Sequence, residues 1–180
     1  MEKLIEIKST SDIPSEYKGT PIADLLEYHN LDKEYREYTQ AELLIGMCMD
    51  HREHLSIPGN FSYIIRTGGA NLKFSEFKVS FAIAVGGVRH IALIGHNNCG
   101  MVNLKSKQKK FIDGMVDNAG WDAEIAEEHF KRFEPIFEIE NEIEFLKSEA
   151  IRLRMRYPKI VFAPMLFKVE NSKIYLIKEN

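Results

Sequence analysis

The sequence predicts a three-layer α/β fold: a mostly parallel central sheet of about four to five strands, flanked by helices. Three observations predict it. Short apolar runs recur along the chain, and most are separated by longer stretches with helical spacing, the order that builds parallel sheets. The run at residues 91–94 contains no polar residue, as expected of a strand buried on both faces. Two runs end in residues that carry chemistry: Leu43-Leu-Ile-Gly-Met-Cys48, and Ile91-Ala-Leu-Ile-Gly-His96-Asn-Asn-Cys99-Gly100. Carboxyl ends of parallel strands are where open α/β sheets place ligands.

Residues 1–20 are polar, with a turn-prone Ser11-Asp-Ile-Pro-Ser15. They read as an arm that packs on a partner subunit. Residues 21–40 carry Leu25, Leu26, Tyr28, Leu31, Tyr35 and Tyr38, which predict one or two short helices with the tyrosines as packing groups. The first core strand covers 41–47. A loop over 52–60 closes on the turn signal Pro58-Gly59-Asn60. The second strand covers 61–66 and runs into the glycine-rich turn Thr67-Gly-Gly-Ala-Asn71.

Residues 73–87 have helical spacing, stopped by Gly86-Gly87. Phe61, Phe74, Phe77 and Phe81 are expected to build core. The third strand covers 88–95, and Gly95 permits a sharp turn at its end. A helix is expected from Met101. Lys105, Lys107, Lys109 and Lys110 then fall at its carboxyl end, where positive charge suits the dipole. Amphipathic helices follow over 121–133 and 136–156, with Pro135 as the break between them. Strands over 160–167 and 173–177 finish the sheet.

With 180 residues, 44% hydrophobic and 28% charged, the chain has the composition of an ordinary globular protein. The expected organisation is a single domain over 1–180, with an N-terminal arm and helix region over 1–40. A net charge of -3 argues against a nucleic-acid binder. The N-terminus alternates charge and lacks the apolar core of a signal peptide. No run approaches the roughly 20 apolar residues of a membrane span, so a cytoplasmic location is expected. Two cysteines are too few for a disulfide framework and point to metal binding or chemistry.

If the strands ending at Cys48 and His96 lie side by side and parallel, Cys48, His96 and Cys99 converge at one sheet edge. Two thiolates, one imidazole and an open fourth position are the ligand set of a catalytic rather than a structural zinc. Asp50 and Arg52 follow Cys48 at alternate positions. A bidentate Arg52 pair would keep the Asp50 carboxylate ionised. Such an acceptor could orient a metal-bound hydroxide or take the fourth position itself. His51 and His54 are read first as packed or solvent-facing residues, with a proton relay as the alternative, since an unperturbed imidazole titrates near about 6.5.

Cys48-Met-Asp50-His-Arg52, Pro58-Gly59, Ile64-Ile-Arg66-Thr-Gly-Gly-Ala-Asn71 and Gly95-His96-Asn-Asn-Cys99-Gly100 together resemble the β-class carbonic anhydrases, most closely the compact archaeal and bacterial members. The resemblance runs over about residues 41–104. It implies one Zn2+ per chain on Cys48, His96 and Cys99, with an Asp50–Arg52 dyad beside the fourth ligand. It implies reversible hydration of carbon dioxide to bicarbonate through zinc-bound hydroxide, a four-stranded parallel core and a homodimer or higher homo-oligomer. Arg66, Gly68, Gly69 and Gly100 are the candidate substrate contacts. Two alternatives keep the fold: hydrolysis of carbonyl sulfide or carbon disulfide, and a zinc protein without catalysis. A redox thiol pair of Cys48 and Cys99 is a further alternative.

Overall fold

A computed structural model describes residues 4–179. Strand β1 (Leu4–Glu6) and helix α1 (Pro21–Leu31) come first. They are followed by β2 (Leu43–Cys48), β3 (Ser62–Thr67), α2 (Glu76–Ala84) and β4 (His90–His96). Next come α3 (Gln108–Ala119), α4 (Ala123–Phe137), α5 (Glu142–Arg156), β5 (Val161–Lys168) and β6 (Lys173–Ile177).

The strands form one six-stranded sheet in the order β1-β6-β5-β4-β2-β3. The four strands β3, β2, β4 and β5 are parallel. Strands β6 and β1 add an antiparallel edge. The sheet thus has the expected mostly parallel centre and one strand more than expected. The extra strand is β1, placed by sequence reasoning in an arm on a partner subunit. Its residues pair with the chain's own β6, Leu4 opposite Ile177, and residues 1–3 of the arm lie outside the described residues. Three residues are too short a run to show a strand period, and the pairing covers a backbone edge that β6 would otherwise expose.

Both faces of the parallel strands are covered, which is why their sequences are apolar throughout. On one face Ile45, Met47, Ala92, Ile94 and Met165 meet Ile22, Leu25 and Leu26 of α1. On the other, Leu44, Ile91, Leu93 and Phe162 meet Val79 of α2 and Leu146, Ala150 and Leu153 of α5. Thr20 caps α1 by accepting the Ile22 N–H at 3.2 Å, and Pro21 stands at its first position. Tyr28 and Tyr38 are buried and share a 2.8 Å hydroxyl contact, whereas Tyr35 is exposed.

Several local expectations change. Gly95 lies inside β4 and makes no turn. A Cβ there would come within 2.8 Å of Leu146 Cδ1, so the missing side chain lets α5 pack close to the strand. The turn is made by Asn98, at φ 56. Helix α4 continues two residues past Pro135, because a proline near the end removes one hydrogen bond that the last turn can spare. The chain breaks later, where Asn141 caps α5. Lys105 and Lys107 lie in a 3-10 turn, and Lys109 and Lys110 open α3, so these lysines stand at a helix start rather than its end. Phe61 is fully buried. Phe74, Phe77 and Phe81 are exposed, Phe77 by 81%, because α2 is short and turns only Val79 and Ala82 inward.

Candidate metal centre

Strand pairing brings the donors together. Strands β2 and β4 are parallel neighbours with Met47 opposite Ile94, so both terminate at the same end of the sheet. Cys48 is the last residue of β2 and His96 the last of β4. Within a strand, alternation would send these two side chains to opposite faces. At the strand ends that constraint lapses, and the Asn98 turn carries Cys99 back toward both. The donor atoms of Cys48, His96 and Cys99 lie within 4.8 Å of one another, and all three residues are buried.

The geometry fits a soft divalent cation. The two Sγ atoms are 4.0 Å apart; a tetrahedral zinc with bonds of about 2.3 Å needs about 3.8 Å. The His96 Nδ1–H donates to the Asn97 carbonyl at 2.9 Å, which leaves Nε2 as the free lone pair. Nε2 is buried and has no hydrogen-bond partner among the described residues. A buried nitrogen without a partner is costly, and a metal would satisfy it.

Charge favours thiolate here. The contact with Cys99 pulls the Cys48 thiol well below its usual value, assisted by His96 and by the Asp50 and Gly69 amides, against the effect of burial. The same contact pushes Cys99 up, because one proton is shared by two sulfurs. Burial works against a charged His96, but the Cys48 sulfur outweighs it and raises the imidazole above its usual value.

Asp50 and Arg52 form a bidentate pair, with Arg52 Nε to Asp50 Oδ1 and Arg52 Nη2 to Asp50 Oδ2 both at 2.8 Å. The Arg52 guanidinium holds the Asp50 carboxyl well below the usual carboxylate range. Asp50 Oδ2 is 3.7 Å from the free His96 Nε2. Arg52 Nη2 also donates to the Asn98 carbonyl at 3.2 Å, joining the dyad to the turn that carries Cys99. His51 projects into solvent with its side chain 93% exposed, its Nδ1 3.9 Å from Asp50 Oδ1. His54 is exposed as well.

The four candidate substrate contacts separate. Arg66 donates to the carbonyls of Cys48 at 2.9 Å and Glu53 at 2.8 Å, so it clamps the 48–53 loop. Gly69 has φ 62, a left-handed conformation suited to glycine. At Gly68 a Cβ would lie 3.1 Å from Met101 Sδ. Gly100 has nothing within 4 Å of a Cβ position.

Two residues absent from the sequence reading belong to this centre. Glu142 accepts the Cys99 N–H at 3.2 Å, tying the turn to the start of α5. Glu53 is fully buried and, among the described residues, neither carboxyl oxygen has a partner at hydrogen-bond distance. Burial, with the nearby Cys48 sulfur, pushes it up to about 8, offset only in part by His96, Arg66 and the Cys48 amide. No sequence signal marks either residue, since ordinary glutamates on loops and helix starts look the same.

The family model described as carbonic anhydrase matches residues 58–169, 112 of the chain's 180 residues. The chain belongs to the β-carbonic anhydrase family. The matched span contains His96 and Cys99 but not Cys48, Asp50 or Arg52, which the parallel pairing of β2 and β4 places beside them.

Solved structures share the fold. The β-carbonic anhydrase isoform I of Trichomonas vaginalis superposes with TM-score 0.65 at 17% identity, covering 83% of this chain and 91% of that one. The carbonic anhydrase of Streptococcus mutans gives 0.60 at 15% identity, covering 92% and 100%. An apo form of carbon disulfide hydrolase gives 0.56 at 21% identity, covering 78% and 79%. No curated protein matches the sequence at a significant level. Among the described residues, no helix is long and apolar enough to cross a membrane.

Proposed function

We propose that the chain is a zinc-dependent carbonic anhydrase that interconverts carbon dioxide and bicarbonate. One observation carries this reading. Two sulfurs and a partnerless imidazole nitrogen converge, and an arginine-held carboxylate stands 3.7 Å from that nitrogen. Cys48, His96 and Cys99 would hold one Zn2+ per chain. Zinc, when bound, supplies the Lewis acid that makes hydroxide available near neutral pH. Asp50 Oδ2 accepts a hydrogen bond from the attacking oxygen, and Arg52 keeps that acceptor ionised and aimed. His51, next in the chain and open to solvent, passes the released proton to buffer. The clamp from Arg66 keeps the loop carrying Asp50 in register with β3.

Exposed Phe74, Phe77, Phe81 and Val85 on and beside α2, with Tyr63 and Ile64 on edge strand β3, form an apolar face suited to a second copy of the chain. A homodimer in the cytoplasm, where both thiols stay reduced, completes the proposal. The same centre on carbonyl sulfide or carbon disulfide is the second reading. It is favoured by the fold shared with carbon disulfide hydrolase and by the apolar pocket described below.

The test is stopped-flow hydration of carbon dioxide by protein holding one zinc per chain, over about pH 6.5 to 9. The expected result is zinc-dependent turnover, lost in Asp50→Ala with zinc retained. Equal turnover in Asp50→Ala would remove the dyad from the mechanism. Zinc-loaded protein inert toward carbon dioxide, carbonyl sulfide and carbon disulfide would overturn the catalytic reading.

A further inference from the structure

Between the α3–α4 hairpin and the turn after β3 lies a pocket of about 480 Å³, within the range of small-molecule sites. Phe111 of α3 and Phe130 and Phe133 of α4 wall it. Its floor includes Met49, which neighbours Cys48 and Asp50, and the bare backbone of Gly68. Met101 lines the pocket and also packs against the cluster of Cys48, Cys99 and Ile139. That one thioether therefore belongs to both the pocket and the metal centre. A side chain at Gly68 would displace it, since a Cβ there meets Met101 Sδ at 3.1 Å and Phe137 Cδ1 at 3.3 Å.

The chemistry of the lining is one-sided. No lysine or arginine contributes to it, and the ionisable groups are His129 and Glu134. His129 is boxed by rings: parallel to Phe111 at 6.2 Å, and against Trp121 at 5.2 Å and Phe133 at 4.8 Å. An anion entering this space would lose hydration and find no lysine or arginine to replace it, and Glu134 would repel it. A neutral linear molecule has no charge to desolvate. Arg52 is absent from this lining, and with its side chain 37% exposed it offers anions a polar approach.

We infer that the pocket is an antechamber that admits small neutral substrates of the carbon dioxide, carbonyl sulfide and carbon disulfide type to the metal centre and holds back anions, with Met101 as its gate. The inference rests on the proposed catalytic reading of that centre. An unbranched thioether suits a gate because it changes rotamer without disturbing the backbone.

The chain has one tryptophan, and Trp121 touches His129 of the pocket wall. Its fluorescence can report occupancy without any turnover. Zinc-loaded protein is titrated with carbon disulfide and with thiocyanate, two linear triatomics that differ in charge. Carbon disulfide is expected to change the emission saturably and thiocyanate to leave it unchanged. In Phe133→Lys the order should reverse, with carbon disulfide weakened at least about fivefold. Equal responses to the two probes in the wild type would overturn the selectivity.

The gate is read separately. Met101→Phe, with zinc still at one per chain, should lose about tenfold in kcat/KM for carbon dioxide while Met101→Leu stays near wild type. Unchanged kcat/KM in Met101→Phe would show that substrate enters elsewhere. A selective titration in a wild type without turnover would support the pocket's selectivity and sink the catalytic reading instead.

Discussion

Glu149 and Glu53 are both buried, 3% and 0% exposed, yet their surroundings differ completely. Glu149 takes the Leu72 N–H at 3.1 Å and two bonds from Arg152, at 2.7 and 2.8 Å. Arg152 is held in turn by Glu76. Glu53 has burial without a hydrogen-bond partner among the described residues. The first carboxylate fastens α5 to the segment before α2. The second sits near Cys48 and His96 and keeps its proton to about 8, chiefly because burial penalises its charge. The contrast teaches that burial alone does not define a carboxylate's role; the donors within reach do.

The largest expected effect breaks the satisfied member of the pair. Glu149→Ala should destabilise the protein by about 3 kcal/mol in urea denaturation, the low end for a broken buried pair because Arg152 keeps Glu76. A loss below about 1 kcal/mol would mean that water already serves these groups. The next effect sharpens the unsatisfied member. Folded Glu53 holds its proton to about 8, whereas the ordinary value is 4.5. Between those values the native state binds more protons than the unfolded chain, so stability falls as pH rises.

The slope is at most about 1.4 kcal/mol per pH unit. In metal-free protein, Glu53→Gln should flatten the decline, by about 2 kcal/mol between about pH 5.5 and 7.5. Identical urea midpoints for the wild type at the two pH values would contradict an unpartnered carboxyl. The smallest effect moves a similar acceptor to the surface. Asn141 Oδ1 accepts the N–H groups of Ile143 and Glu144 at 3.0 and 3.1 Å but is exposed. Asn141→Ala should cost about 1 kcal/mol, and a thermal melt showing a loss as large as that of Glu149→Ala would erase the distinction between exposed and buried acceptors.

Much of the sheet was legible in the chain. The runs ending at Cys48 and His96 are apolar without interruption, and strands covered on both faces produce that pattern. What sequence reasoning missed shares one cause. Strand β1 shows itself only through its pairing with Ile177, about the length of the chain away. Phe74, Phe77 and Phe81 have helical spacing, but spacing does not say which face meets the sheet, and Val79 and Ala82 took the inward side. Gly95 was legible as a glycine but not as the seat of Leu146. Glu142 is 43 residues from the amide it accepts.

The sequence by itself determined the donor types and their positions at strand ends, because a short apolar run followed by Cys48, or by His96 and Cys99, is a local pattern. It also determined the Asp50–Arg52 pair, whose members are close enough in the chain to find each other in any fold. Only the tertiary structure decided that β2 lies parallel against β4, which brings Cys48 to His96 and Cys99. Only it decided that Glu149 has close donors and that Glu53 has none at hydrogen-bond distance among the described residues, and that Met101 stands between an apolar pocket and two sulfurs. Those outcomes depend on contacts between residues far apart in sequence, and such contacts exist only once the layers have packed.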